Sequence, residues 1–164
     1  MKPRKVYETY ISFEERSAAM YLDLSIRFFE NPELSWFWVE MAMEEKQHAG
    51  MLQHCREASV YAIELPDKKQ LRELKNVFQR LERRLSDDNL SLDEAFAAAT
   101  ELEGSEINDI YSKLTSPING QAHVLRRKMQ LSVASHFDRL AEGARRFGAS
   151  AQTQQRLAEM LGHK

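Results

Sequence analysis

Cys55 is the only cysteine among 164 residues, so neither a disulfide scaffold, nor a zinc ribbon, nor a cysteine-ligated iron centre can form within one chain. Any metal would have to be held by carboxylates and histidines. Cys55 itself falls on an apolar helix seam and reads as a small buried hydrophobe. Glycine and proline are also sparse, at 6 and 4 residues, and no segment alternates apolar with polar residues as a half-buried strand does. An excess of one charge is missing too. Lys and Arg number 23 against 25 Asp and Glu, interleaved to a net −2, which argues against nucleic acid or an anionic membrane as partner. No segment approaches the length of a membrane span, and the basic start Met1-Lys2-Pro3-Arg4-Lys5 leads into Tyr7, Glu8 and Thr9, so no secretory signal is read there. The expectation is a soluble, cytoplasmic protein.

What fills the chain instead is apolar residues at spacings of three and four, the mark of an all-α protein. Length and a 43% hydrophobic content suit one domain, 1–164, with its core bundle over about 7–147. A first helix is expected over about Tyr7 to Phe29, with seam Tyr7, Tyr10, Glu14, Ser17, Tyr21, Leu24, Phe28. Asn31-Pro32 opens a second, running to roughly Tyr61, with seam Leu34, Trp38, Met41, Glu45, His48, Leu52, Cys55. After a break at Leu65-Pro66-Asp67 comes a shorter amphipathic crossover helix, with seam Leu71, Leu74, Phe78, Leu81, Leu85. Ser91 and Glu94 fit a capping box opening a third core helix, seam Phe96, Ala99, Glu103, Glu106, Ile110, Leu114. Pro117-Ile118-Asn119-Gly120 ends it, and a fourth carries Ala122, Leu125, Met129, Val133, His136, Leu140, Gly143, Phe147; the tail from Ala151 is short and amphipathic. Two helical hairpins joined by a long crossover make a four-helix bundle.

Polar residues interrupt these seams in a pattern. Glu45 and His48 lie one turn apart on a face that should be buried, where an unpaired charge costs several kcal/mol. Such a pair must be hydrogen-bonded, protonated or bound to a metal. Residues on two hairpin helices are level when equidistant from the turn. The midpoint of Glu14 and Glu45 falls in the turn around Glu30-Asn31-Pro32, and that of Glu103 and His136 at Asn119-Gly120. Glu103 follows Glu14 by 89 residues and His136 follows His48 by 88, which implies an internal repeat with pseudo-twofold symmetry. Tyr21 and Tyr111 recur two turns after Glu14 and Glu103, placed to hydrogen-bond ligand carboxylates. Carboxylate oxygens and imidazole nitrogens together suit iron, manganese or zinc, and bridging carboxylates can hold two divalent ions close together. His54 lies six residues from His48, off its face, His123 has no level partner at the site and His163 is in the tail, so each reads as an ordinary surface or packing histidine. Glu15, Glu40 and Glu44 fall outside the seams and are expected in solvent; of Trp36, Phe37 and Trp38, at least one should face outward.

From Tyr7 to Phe147 the chain resembles the rubrerythrin branch of the ferritin-like superfamily. Glu14 to Tyr21 resembles that family's first-helix motif, Glu45-Lys46-Gln47-His48-Ala49 its second, Glu103-Gly104-Ser105-Glu106 with Tyr111 its third, and His136 its fourth-helix histidine. The resemblance implies a ferritin-like bundle with Glu14, Glu45, His48, Glu103, Glu106 and His136 as metal ligands. It further implies two iron ions per chain and a homo-oligomer that reduces peroxide or oxygen, or oxidises Fe(II). The chain departs from the family at Val133, where a glutamate is expected, and Ser132, Ala134 and Ser135 supply no carboxylate in its place. One metal, or manganese or zinc, therefore stays open beside two irons. The four-cysteine rubredoxin-like iron module is absent, so electrons would come from an external donor. Iron storage or transfer, and a metal-degenerate structural or interaction bundle, are the alternatives.

Overall fold

A computed structural model describes residues 2–62, 65–106 and 123–162. Among them the protein is entirely helical: α1 (Pro3–Arg27), α2 (Pro32–Glu57), α3 (Lys68–Leu85), α4 (Leu92–Glu106), α5 (His123–Phe147) and α6 (Ala151–Gly162). Proline at the first helical position opens α1 four residues ahead of the expected start, because its fixed φ suits that position and its missing N–H would have no partner there. Asn31 caps α2, its side chain accepting from Leu34 N at 3.2 Å. That helix stops at Glu57 instead of continuing to Tyr61, since Ser59 takes φ 57°, a left-handed conformation that cannot extend a right-handed helix. Two capping boxes start the middle helices. Asp67 accepts from Lys69 N and Gln70 N at 2.8 Å while Gln70 returns a bond to Asp67 N. In the expected box, Glu94 accepts from Ser91 N at 2.9 Å and Glu94 N donates to Ser91 Oγ at 3.3 Å.

Every seam residue expected of α2 is buried, as are those of α1 up to Leu24 and all five of α3. α1 and α2 pack along each other as a hairpin; α5 lies against α2 and α4, α3 against α1 and α4, and α6 against α4 and α5. Arg16 joins α1 to α3 through a two-pronged pair with Glu82 at 2.6 and 2.9 Å, its guanidinium 4.9 Å from the Phe78 ring centre. Asp93 ties the start of α6 to α4 by accepting from Ser150 N at 2.7 Å and Thr153 Oγ1 at 3.0 Å, and these bonds lower its pKa. A glycine is required at 143: a Cβ there would sit 2.4 Å from Phe37 Cε2, so its absence lets α5 close onto the aromatic layer of α2. In that layer Trp38 is fully buried and Phe37 nearly so, while Trp36 is the outward-facing member, 58% exposed. No described helix is long and apolar enough to cross a membrane.

Candidate metal centre

Four helices deliver the polar seam residues to one depth. Glu14 comes from α1, Glu45 and His48 from α2, Glu103 from α4 and His136 from α5, and none is more than 3% exposed. They form two triads among the described residues, Glu14–Glu45–His48 and Glu45–Glu103–His136, each with one potential ligand atom per residue and all three atoms within 4.8 Å of one another. These two buried clusters could each hold a metal ion, and Glu45 belongs to both.

In the first triad, His48 Nδ1 lies 3.8 Å from Glu14 Oε2 and 3.7 Å from Glu45 Oε2. Those separations are too long for hydrogen bonds, yet they match the roughly 3–4 Å between neighbouring donors that each stand about 2.1 Å from one ion. The other ring nitrogen, Nε2, meets Ser132 Oγ at 3.0 Å. On the outer side of Ser132 a solvent-facing groove of about 520 Å³ is lined also by Gln47, Gly50, Met51, His54 and Lys128. Ser132, which supplies no carboxylate, thus touches His48 and also lines this groove.

The second triad is drawn closer. His136 Nε2 lies 2.8 Å from Glu45 Oε1 and 2.9 Å from Glu103 Oε1, and Nδ1 lies 2.5 Å from Glu44 Oε2. Ionised carboxylates only accept, so the ring donates from both nitrogens and carries a positive charge. Burial alone would lower the His136 pKa, but the charges of Glu103 and Glu45 and the hydrogen bonds to Glu103 and Glu44 raise it well above the ordinary histidine value. For Glu45, burial acts upward, and the neighbouring His136 charge together with hydrogen bonds within the cluster outweighs it, holding the carboxyl below its usual range. Tyr21 completes the corner, donating its hydroxyl to Glu103 Oε1 with its ring stacked on Trp38 at 5.8 Å.

The donor set fits a divalent cation. Glu45 is completely buried, with the His136 ring 2.8 Å from its Oε1. A carboxylate at the centre of a bundle needs a cation or a proton beside it, and a metal ion there would take over the charge that His136 supplies. Three carboxylates face two imidazoles, and no thiolate competes: Cys55 is buried, which raises its pKa.

Glu44 departs from the solvent-facing position expected of it: its side chain is 16% exposed, paired with His136 and, at 2.9 Å, with Arg139 Nη2. Arg139 and His136 belong to α5, and their pull across the helix interface turns a residue at the margin of the α2 seam inward. Glu40 remains 40% exposed and meets Arg139 Nη1 at 3.4 Å, Glu15 faces solvent as expected, and His54 is exposed too. Tyr111, together with the side chains of Glu106, His123 and Val133, lies outside the described residues. No protein-family model, curated protein or solved structure matches the chain.

Proposed function

We propose that this is a ferritin-like, rubrerythrin-type protein that binds two divalent metal ions, iron by first choice, and uses them to reduce peroxide or oxygen or to oxidise Fe(II). The observation that carries the reading is Glu45, a buried carboxylate shared by two carboxylate–histidine triads that four different helices assemble. In such a site Glu14 with His48 would hold one ion and Glu103 with His136 the other, with Glu45 between them. Redox-active ions bound there would supply the electrons for reducing an oxidant. The chain's own part is to fix donors and exclude water. Tyr21 keeps Glu103 turned inward, Ser132 orients His48, and the packed rings of Trp38, Phe37 and Phe96 seal one end. With a single cysteine in the chain, an external electron donor belongs to this reading. So does a homo-oligomer, supported by the large apolar side chains that the first hairpin exposes, among them Ile26 at 71%, Phe29 at 75% and Trp36 at 58%.

The close contacts of His136 with Glu45 and Glu103 favour a second reading, a purely structural polar cluster in a metal-degenerate bundle. Anaerobic loading with Fe(II) followed by addition of peroxide separates the two. Ferrous ions retained on the chain and oxidised in pairs by one equivalent of peroxide, which is reduced to two waters, support the redox reading; a chain that retains no metal supports the structural one. Fe(II) oxidised with many iron atoms retained per chain would point to storage.

The pH dependence has opposite signs for stability and for metal binding. His136 has a raised pKa when folded, so its contribution to stability is fully present below its unfolded value of about 6.5 and is lost as pH rises through the folded value. Metal must displace a proton from Nε2, so affinity should rise over that same interval. Calorimetric titration in buffers of different ionisation enthalpy should detect protons released on binding below the folded pKa; proton-neutral binding there would contradict coordination by His136.

A further inference from the structure

We propose that Glu44, held by Arg139, is the positioning residue for His136, fixing which ring nitrogen is presented to the metal and making this half of the site the tighter one. The inference rests on the two-ion reading and deepens it. The two ring nitrogens of His136 face different partners: Nε2 faces the oxygens of Glu45 and Glu103, and Nδ1 faces Glu44 Oε2 at 2.5 Å. A carboxylate can only accept, so Nδ1 keeps its hydrogen and Nε2 is the nitrogen that can give up its proton to a cation. Glu44 is anchored in turn. Its second oxygen, Oε1, meets Arg139 Nη2 at 2.9 Å, and the other prong of the same guanidinium reaches Glu40 Oε2 at 3.4 Å. Glu40 and Glu44 are one turn apart on α2, and His136 and Arg139 one turn apart on α5, so the clamp spans the interface between the two helices.

The opposite half is built differently. His48 leans on the neutral hydroxyl of Ser132 at 3.0 Å. A carboxylate partner makes an imidazole a stronger donor than a hydroxyl does, and outer partners of this kind commonly change metal affinity by roughly 10–100-fold. The difference assigns the first ion bound to the Glu45–Glu103–His136 triad.

The test uses the full chain, with Co(II) titrated under visible absorption and Zn(II) for nitrogen-15 NMR of the histidines. In the wild type, two Co(II) ions should bind with distinct affinities, and the Zn(II) form should show His136 protonated at Nδ1 and bound through Nε2. Glu44→Ala should weaken the tighter ion roughly 10–100-fold and leave the weaker one within about threefold. Glu44→Gln, which keeps an acceptor without its charge, should fall between. If Glu44→Ala does not fold, Arg139→Ala should give a smaller loss at the same ion. An unchanged tighter affinity in Glu44→Ala, or His136 bound through Nδ1, overturns the positioning role. A wild type that binds no Co(II) overturns the two-ion reading beneath it.

Discussion

Glu45→Ala should remove both ions at once, whereas His48→Ala or His136→Ala should each leave one. The asymmetry follows from membership: Glu45 belongs to both triads, and each histidine to only one. Metal per chain, counted after removal of loosely bound ions, should therefore fall from two to none in the first variant and to one in the others. The metal-free stability of Glu45→Ala should move little or rise. Truncation leaves a cavity, which costs, but it also withdraws one of three carboxylates crowded into the bundle interior, where an imperfectly compensated charge costs several kcal/mol. His136 keeps Glu103 and Glu44 as partners in the variant. Thermal melts in the presence of a chelator check this; a variant that melts far below the metal-free wild type would mean that Glu45 acts chiefly as a structural hydrogen-bonding group.

The largest loss of stability is expected from Trp38→Ala. Trp38 is completely buried and packs against three aromatic rings among the described residues, Tyr21 stacked at 5.8 Å, Phe37 edge-on at 4.8 Å and Phe96 at 4.8 Å. Removing such a ring from a packed core costs about 3–5 kcal/mol, or roughly 6–20 °C in Tm for a chain of this size. Trp38→Phe should cost much less. The indole N–H is buried with no hydrogen-bond partner among the described residues, so replacing it removes a polar group that contributes nothing and offsets part of the lost ring area. Urea denaturation of the two variants measures the difference, and equal losses would show that the indole N–H has a partner after all.

Much of the bundle interior is legible in the sequence, because helical periodicity reports which residues share a face. The seams of α2 and α3 are buried throughout, and the midpoint argument that levels Glu103 with His136 corresponds to a contact of 2.9 Å. Helix ends are less legible. Nothing local in Cys55 to Tyr61 announces that Ser59 will turn left-handed, and Pro3 extends α1 beyond its apolar pattern. The partners of the histidines are the least legible of all. Glu44 sits one residue from the α2 seam, at its margin, and periodicity cannot say whether a marginal residue faces water or a neighbouring helix. Arg139, one turn beyond His136, decides it by pairing with Glu44 across the α2–α5 interface. In the sequence Ser132 shows only the lack of a carboxylate, because its hydroxyl contact with His48 depends on how α5 is rotated against α2.

Equilibrium dialysis of the wild-type chain against Fe(II) without oxygen, followed by elemental analysis, tests the central claim most directly. Two ions per chain in the wild type and none in Glu45→Ala is the predicted result. Equal metal content in the two proteins, or none in the wild type, would contradict a two-ion centre built around Glu45.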